Sequence, residues 1–327
     1  MRIATFELSF SVAFFVFSVP IQAQTNSPVS DDSGKPRFSW ANPSLQEPAV
    51  SEVNGKVSYA GGSMNSGEGH NFDGSITFPI FHPFGFQGDA SYSHISDQDF
   101  YGGAGHFFWR NPEVGLLGVT GGYLSRSGVD TFQVGAEGDY YVNRFTFGFF
   151  AGVGSISYAN SAPFIDTNPT RFVGRVSADW YALDNLRLGA SFTTAYQDSL
   201  FSGEIEYLTP IRGLALTAEA AVGERGYDHW LLGVRYYFGS NKSLRDRQRR
   251  DDPRILMPQI LHTLGLYGAE FNHKGKAYLA AHPGAGSLDS GGSYGVIDTM
   301  ANPPPLVFPP PIAVTPPEPP ILSPSAP

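Results

Sequence analysis

The chain of 327 residues contains no cysteine. This absence excludes disulfide bonds, cysteine nucleophiles, zinc–thiolate sites and a lipid anchor on an amino-terminal cysteine. Charged residues are also scarce, at 16%, and their imbalance gives a net charge of −9. An acidic chain of this kind argues against nucleic-acid binding. No apolar run reaches the roughly 18 residues of a membrane-spanning helix, so no such helix is predicted.

The amino terminus has the features of a cleavable export signal. Arg2 supplies a positive charge, Leu8–Val19 is apolar, and Ile21-Gln22-Ala23 offers a small residue at a cleavage site. Residues 1–23 are therefore predicted to be a signal peptide. Residues 24–50 are predicted to be a polar lead-in to the folded part.

The strongest pattern in the chain is an alternation of apolar and polar residues across residues 51–239. Alternate side chains of a strand point to opposite faces, so this period predicts strands. Each segment is long enough for a tilted transmembrane strand of about 9–11 residues. The twelve predicted strands are 52–64, 72–81, 84–95, 99–110, 115–125, 130–142, 145–156, 170–181, 186–197, 199–209, 213–223 and 229–239.

An even number of such strands predicts an all-β fold, a transmembrane antiparallel up-and-down barrel of about 12 strands. Short turns, such as His82-Pro83, are assigned to the periplasmic end, and longer loops, including 65–71 and 157–169, to the outer end. A soluble β-sandwich is the alternative fold. It would leave the aromatic outward faces of the strands unexplained.

Charged residues of the predicted strands fall on the face opposite the apolar one. A lysine or arginine that faces lipid at mid-depth costs about 2–4 kcal/mol, so these side chains are predicted to line the lumen and to set any selectivity. The candidates are Lys56, Asp73, Asp89, Glu137, Asp139, Arg171, Arg175, Asp179, Arg187, Glu204, Glu206, Glu219 and Arg235. A lumen of both signs is compatible with an open pore and with a charge network that fills the barrel.

Gly233-Val234-Arg235-Tyr236-Tyr237-Phe238 resembles the terminal-strand signal of the Gram-negative outer-membrane β-barrel superfamily, which includes the porins. The resemblance implies that Gly233, Tyr236 and Phe238 are read by the barrel-assembly machinery and that this strand closes the barrel against the first one. Two features depart from the pattern: Leu232 replaces a usual polar residue, and the chain continues well beyond Phe238. The order of signal, barrel and downstream segment also resembles the inverse autotransporters, although this barrel is small for that family.

Residues 240–327 are predicted to form a periplasmic, largely disordered tail. The charge run 240–254 is interpreted as a solvated linker, with contacts to acidic lipid or cell wall as alternatives. Ile255–Phe271 is a short apolar segment, either a lumen plug or an interfacial helix, in which Pro258 and Gly265 oppose a long helix. The proline-rich end, Pro303–Pro320, favours polyproline II as a spacer or a docking strip.

No catalytic site, cofactor or metal site is predicted, so the protein is not expected to be an enzyme. Gly291–Gly295 matches a nucleophile elbow, but it lies in Gly/Pro-rich sequence without a sheet, and no histidine follows Ser293. His106 is expected to face the lumen without a serine beside it. The remaining histidines are scattered, with no HExxH motif.

Two functions remain open on the sequence alone. The first is a small porin-like channel for passive diffusion with a charged, weakly cation-selective lumen. The second is a closed barrel that anchors the proline-rich tail near peptidoglycan or a periplasmic protein. Both place the protein in the outer membrane of a Gram-negative bacterium, in contact with outer-membrane lipid.

Overall fold

The computed structural model describes residues 48–65, 67–96, 98–159 and 162–282. Twelve antiparallel strands follow one another around a closed barrel, and the last pairs with the first. The strands are β1 (Asn54–Met64), β2 (Gly67–Phe81), β3 (Phe84–Ile95), β4 (Gln98–Asn111), β5 (Gly115–Arg126), β6 (Val129–Val142), β7 (Phe145–Tyr158), β8 (Thr170–Leu183), β9 (Leu186–Ala195), β10 (Asp198–Leu208), β11 (Leu214–Gly223) and β12 (Asp228–Tyr237).

The outer surface of the barrel is apolar, as the alternation requires. On β8, Phe172, Val176 and Trp180 are exposed on the outside, while Val173 and Asp179, of the opposite parity, are buried. Closed even-stranded antiparallel barrels with an apolar outer band are outer-membrane barrels. The predicted fold, an antiparallel up-and-down barrel of twelve strands, is therefore confirmed.

The predicted loop 65–71 is wrong, because β2 begins at Gly67. Glu68 and His70 extend the ladder with β1, opposite Ser63 and Gly61, and the Tyr59 hydroxyl lies 2.8 Å from His70 Nδ1. The side chains at this end of β2 are polar, so the apolar–polar alternation of the sequence did not reveal that the backbone pairing continues to Gly67. The β1–β2, β3–β4, β5–β6 and β9–β10 connections are tight hairpins of two residues each. The long connection at the same end of the barrel joins β7 to β8.

The barrel has two mouths. We call the end where β1 begins the near mouth, and the end with the β7–β8 connection the far mouth. Beyond β12, helix α1 (Leu244–Arg250) packs at the near mouth, with Ser243 as its N-cap. Its backbone is tied to the β8–β9 turn, because the Leu244 amide donates to Asn185 Oδ1 and the Arg245 amide donates to the Asp184 carbonyl.

The chain then turns into the barrel and forms helix α2 (Met257–Ala281), whose residues up to Phe271 are nearly all buried. Two expectations are corrected. The segment 240–254 is not a solvated linker, since Leu244 and Arg247 are buried. Pro258 and Gly265 do not prevent a 25-residue helix, because Pro258 lies in the first turn, where its missing N–H has no helical partner.

The segment after the barrel therefore passes from the near mouth into the lumen, and α2 contacts the β7–β8 connection at the far mouth. Among the described residues, no helix is both long and apolar enough to cross a membrane. The predicted signal peptide, most of the lead-in and the proline-rich end lie outside the described residues. The last lead-in residues, Ala49 and Val50, are buried against Phe108 and Leu116.

Candidate functional site: the plugged lumen

The lumen is filled by residues 251–271, which we call the plug. The plug consists of an extended stretch, 251–256, and the buried part of α2, 257–271. The extended stretch lies among charged wall residues, and the helix lies among apolar ones. We call these two parts of the lumen the near half and the far half.

In the near half, the extended stretch is tethered through its backbone. Lys56 Nζ donates to the Pro253 carbonyl at 2.8 Å, and the Leu256 amide donates to Asp89 Oδ2 at 2.9 Å. Lys56 is on β1 and Asp89 is on β3, so the two tethers come from different strands. Backbone groups that would otherwise be unpaired inside the barrel thus obtain hydrogen bonds from the wall.

The side chain of Arg254 enters an ion-pair cluster on the wall. Its guanidinium lies 2.7 Å from Asp179 Oδ2 and 3.2 Å from Glu204 Oε1. The wall residue Arg187 bridges the same two carboxylates, at 2.8 Å each, and reaches Glu206 at 3.2 Å. Several positive and negative groups therefore neutralise one another where water is largely excluded.

Two further arginines complete this cluster. Arg175 pairs with Glu204 at 3.1 Å, and Arg235 pairs with Glu206 at 2.9 Å. The hydroxyl of Tyr237 donates to Glu206 Oε1 at 2.6 Å. Glu204 of β10 is thus shared between the wall and the plug, whereas Glu206 is held by wall residues and by Gln248 of α1.

A second polar cluster surrounds His106 on β4. Its Nε2 lies 2.9 Å from Asp89 Oδ2 and its Nδ1 lies 2.8 Å from Glu137 Oε1. The ring is completely buried, and a histidine can donate from both nitrogens only as the imidazolium. Asp89 therefore connects His106 to the plug amide of Leu256.

The far half is packed differently. Apolar residues on one side of α2 join a continuous core with the inward face of the wall. The plug contributes Met257, Ile260, Leu261, Leu264, Tyr267 and Phe271, together with Ile255 and Leu256 at the end of the extended stretch. The wall contributes Met64, Ile95, Phe100, Leu124, Val129, Phe150, Ile156, Tyr158, Val173, Ala195, Tyr196 and Leu231. The ring of Tyr196, on the wall, packs against that of Tyr267, on the plug.

Little space remains in the described part of the lumen. A cavity of about 120 Å³ lies beside Arg254 and His262, lined by charged side chains of both signs. A smaller one of about 70 Å³ lies on the side of Asp73. At about 30 Å³ per water molecule, each of these spaces holds a few waters.

The structure places nearly all of the predicted lumen residues inside the barrel. Those that line the cavities or join the ion pairs are Lys56, Asp73, Asp89, Glu137, Asp139, Arg175, Asp179, Arg187, Glu204, Glu206, Glu219 and Arg235. Arg171 differs: it is exposed and pairs with Asp166 of the β7–β8 connection at 3.5 Å. Its place at the strand end, rather than its parity, explains the difference. The role of the predicted lumen residues in selectivity stays a prediction.

The terminal-strand residues lie at the barrel seam. Gly233 is opposite Ala60, Tyr236 is opposite Val57, and the Phe238 amide donates to the Gly55 carbonyl at 2.8 Å. This strand does close the barrel against β1. Its recognition by assembly machinery stays a prediction.

Sequence reasoning misses the plug residues that meet the wall. Arg254 falls at the end of the predicted linker, and His262 is one of the scattered histidines. In the structure His262 meets Glu219 of β11 and His229 of β12. The signal available in the sequence is the change from a charge run to an apolar run at Ile255, which marks where the chain enters the barrel.

No protein-family model matches this chain, and no curated protein is significantly similar to it. Solved structures with a similar fold include a KdgM porin in complex with disordered oligogalacturonate, at 12% identity and a TM-score of 0.44, covering 56% of this chain and 99% of that one. Another is the outer-membrane protein Omp33 of Acinetobacter baumannii, at 15% identity and a TM-score of 0.41, covering 57% and 99%. A third is an outer-membrane channel from Pseudomonas putida F1, at 10% identity and a TM-score of 0.42, covering 60% and 98%. At these scores they carry no inference about activity.

Proposed function

We propose that this protein is a plugged channel of the Gram-negative outer membrane. The plug closes the barrel in the described state, and small solutes diffuse through the lumen when the plug shifts. The observation that carries the proposal is the polar near half, where charged side chains and a cavity of about 120 Å³ surround an extended stretch of chain. Apolar residues of similar volume often replace buried ion pairs at little cost in stability, so the charges of the near half favour a lumen that becomes hydrated when the plug shifts.

The lumen charges also support a direction of selectivity. Acidic residues outnumber basic ones in the chain, and Asp73, Asp139 and Glu219 line the cavities. With the plug displaced, a narrow acidic lumen concentrates cations through its electrostatic potential. We therefore expect a reversal potential that favours cations weakly.

The test is to fix the plug to the wall in the full-length protein. The natural chain has no cysteine, so a Gln133→Cys/Thr263→Cys pair can be joined by a short dithiol cross-linker. These side chains hydrogen-bond to each other across the plug–wall interface. We expect discrete conductance steps before cross-linking in planar bilayers, and their loss after it.

The matched control is a Ser191→Cys/Ser202→Cys pair, which joins two adjacent wall strands whose hydroxyls lie 2.7 Å apart. The same reagent on this pair should leave the conductance steps unchanged. Equal conductance with and without the plug cross-link would show that current does not pass through the plugged lumen, and the proposal would fail.

The second candidate is a closed barrel that acts as an anchor. It is favoured by the far half, where Ile260, Leu264 and Phe271 are part of a continuous apolar core. In this case α2 holds the chain in the barrel and leads it to the far mouth. Because the short turns of the near mouth are assigned to the periplasm, a partner of the chain beyond 282 would lie on the outer side, and the expected contact of this tail with peptidoglycan or a periplasmic protein is not favoured. Silence both from the full-length protein and from a chain ending at Gly239, with the heat-dependent gel shift of a folded barrel retained, would favour the anchor.

A further inference from the structure

We infer that Glu219, His229 and His262 form a binding site for a divalent transition-metal ion, with zinc the best match. The three side chains come from β11, β12 and α2, respectively. Two of them belong to the wall and one belongs to the plug. A bound ion would therefore connect the plug to the wall.

The barrel register brings the two wall residues together. His229 is opposite Ala221 in the β11–β12 ladder, so Glu219 is its diagonal neighbour two residues along, on the same inward face. α2 then places His262 against this pair, with the two imidazole centroids 4.2 Å apart. The histidines are buried, while 23% of the Glu219 side chain is accessible.

The distances between donor atoms fit a tetrahedral ion closely. Glu219 Oε1 lies 3.3 Å from His229 Nε2 and 3.6 Å from His262 Nδ1, and one donor atom from each residue lies within 4.8 Å of the others. Ligands at about 2.0–2.1 Å from a tetrahedral zinc ion are about 3.4 Å from each other. Two of the three separations are close to this value, and the third is within 4.8 Å.

The donor chemistry is also that of zinc. Two imidazoles and one carboxylate form a three-ligand set that leaves the fourth position to water. Glu219 and His262 both line the cavity of about 120 Å³, which can supply that water. On the other side of His229, the Tyr227 hydroxyl lies 3.0 Å from Nδ1. A partner for the second ring nitrogen fixes the tautomer and directs Nε2 towards the ion.

The site lies where the near half meets the far half, so a bound ion would hold α2 against the wall. We call this effect the latch. This consequence depends on the proposed plugged channel, whereas ion binding itself does not. The two can therefore fail separately. Binding is measured by spectroscopy on the full-length folded protein, and latching is measured by conductance.

The binding experiment titrates refolded, metal-free protein with Co²⁺, whose absorption bands distinguish tetrahedral from octahedral coordination. We expect one tetrahedral Co²⁺ per chain, displaced by one Zn²⁺. His262→Gln and His229→Gln should each weaken binding by at least about tenfold, and Tyr227→Phe should weaken it by about tenfold by loosening the orientation of His229. The gel shift verifies that each variant remains folded.

The matched control is the double variant His70→Gln/His94→Gln, which removes two exposed histidines that pair with Glu68 and Asp99. It should bind Co²⁺ as the parent does. Absence of tetrahedral bands, or binding that survives His262→Gln and is lost in the control, would overturn the site and leave a hydrogen-bonded Glu–His–His cluster. If the site binds Zn²⁺ but micromolar Zn²⁺ does not reduce channel opening in the parent relative to His262→Gln, the latch is overturned.

Discussion

The two halves of the lumen hold the same segment of chain by different physics. In the near half, residues 251–256 are held by directional contacts, among them the tethers from Lys56 and Asp89 and the ion pairs of Arg254. In the far half, residues 257–271 are held by close apolar packing with the wall. The near half has cavities and charges, and the far half has a continuous core.

This difference assigns the docking free energy of the plug and its position along the barrel axis to different halves of the lumen. Burial of a large apolar side chain contributes about 1.5–3 kcal/mol, and α2 buries several. A buried ion pair contributes little net free energy, because desolvation offsets most of the attraction, yet it tolerates little displacement. The far half should therefore supply most of the free energy of docking, and the near half should fix the position of the plug along the barrel axis.

The largest expected effect is on the far half. Phe271 is 2% exposed, and its ring centroid lies 5.1 Å from that of Phe164 and 6.1 Å from that of Tyr158. Phe271→Ala should weaken plug docking by about 3–5 kcal/mol through the lost contacts and the cavity. A single Gln259→Cys, buried in the parent, reports plug release by its maleimide labelling rate, which should increase more than about a hundredfold.

Phe172→Ala is the control for this variant, since Phe172 faces outward from β8. It should leave the labelling rate of Gln259→Cys near that of the parent. If Phe271→Ala and Phe172→Ala label equally slowly, the far half does not hold the plug, and the assignment of stability to it is wrong.

The wall was predictable because a period of two is repeated along every strand. Residues such as Phe172 and Asp179 alternate over ten or more positions, and each barrel strand obeys the same constraint from lipid on one side. Placement of the charged lumen residues followed from the same rule. Arg171 shows its limit, because parity gives the face of a residue but not its depth.

The plug was not predictable in the same way. An inserted helix is surrounded by wall, so polar residues outside its apolar face are buried too, as His262 and Gln259 are. Burial on this helix therefore does not follow the apolar pattern of the sequence. Its contacts join residues far apart in sequence, such as Gln133 with Thr263. Pro258 was ambiguous because proline terminates a helix from within but is accepted in its first turn.

A smaller effect is expected in the near half. Arg254→Gln removes the pairs with Asp179 and Glu204, but Arg187 still neutralises both carboxylates. Because the Arg254 side chain is one-third exposed, we expect a loss of only about 1–2 kcal/mol of docking free energy. Labelling of Gln259→Cys should accelerate by roughly five- to thirtyfold, which is less than for Phe271→Ala.

Arg245→Gln is the matched control, because Arg245 lies on α1, outside the lumen, and pairs with Asp184 of the β8–β9 turn. It should leave labelling unchanged. A larger effect from Arg254→Gln than from Phe271→Ala would reverse the comparison and make the near half the principal hold on the plug.

The smallest effect concerns the rim of the near mouth, where Glu52 joins the lead-in to the chain after β12. The pKa of Glu52 is held below its usual value by hydrogen bonds from Ser240 and by the nearby charge of Lys242. The Ser240 amide donates to Glu52 Oε1 at 3.0 Å. A lowered pKa means that this contact stabilises the fold above the ordinary glutamate pKa of about 4.3 and is lost as the pH falls through the lower folded value.

Pepsin cleavage at the buried Leu244 of α1 measures this contact at acid pH, after correction by an unfolded substrate for the protease's own profile. The corrected cleavage rate of the parent should increase modestly as the pH falls below about 4. In Glu52→Gln this increase should be smaller. In Glu113→Gln, a variant at an exposed turn of the same mouth, the increase should be the same as in the parent. An unchanged rise in Glu52→Gln would place the acid-sensitive step elsewhere. Because Glu52 lies outside both halves of the lumen, the labelling rate of Gln259→Cys at neutral pH should not respond to its removal. The rim and the plug would then be separate units of stability.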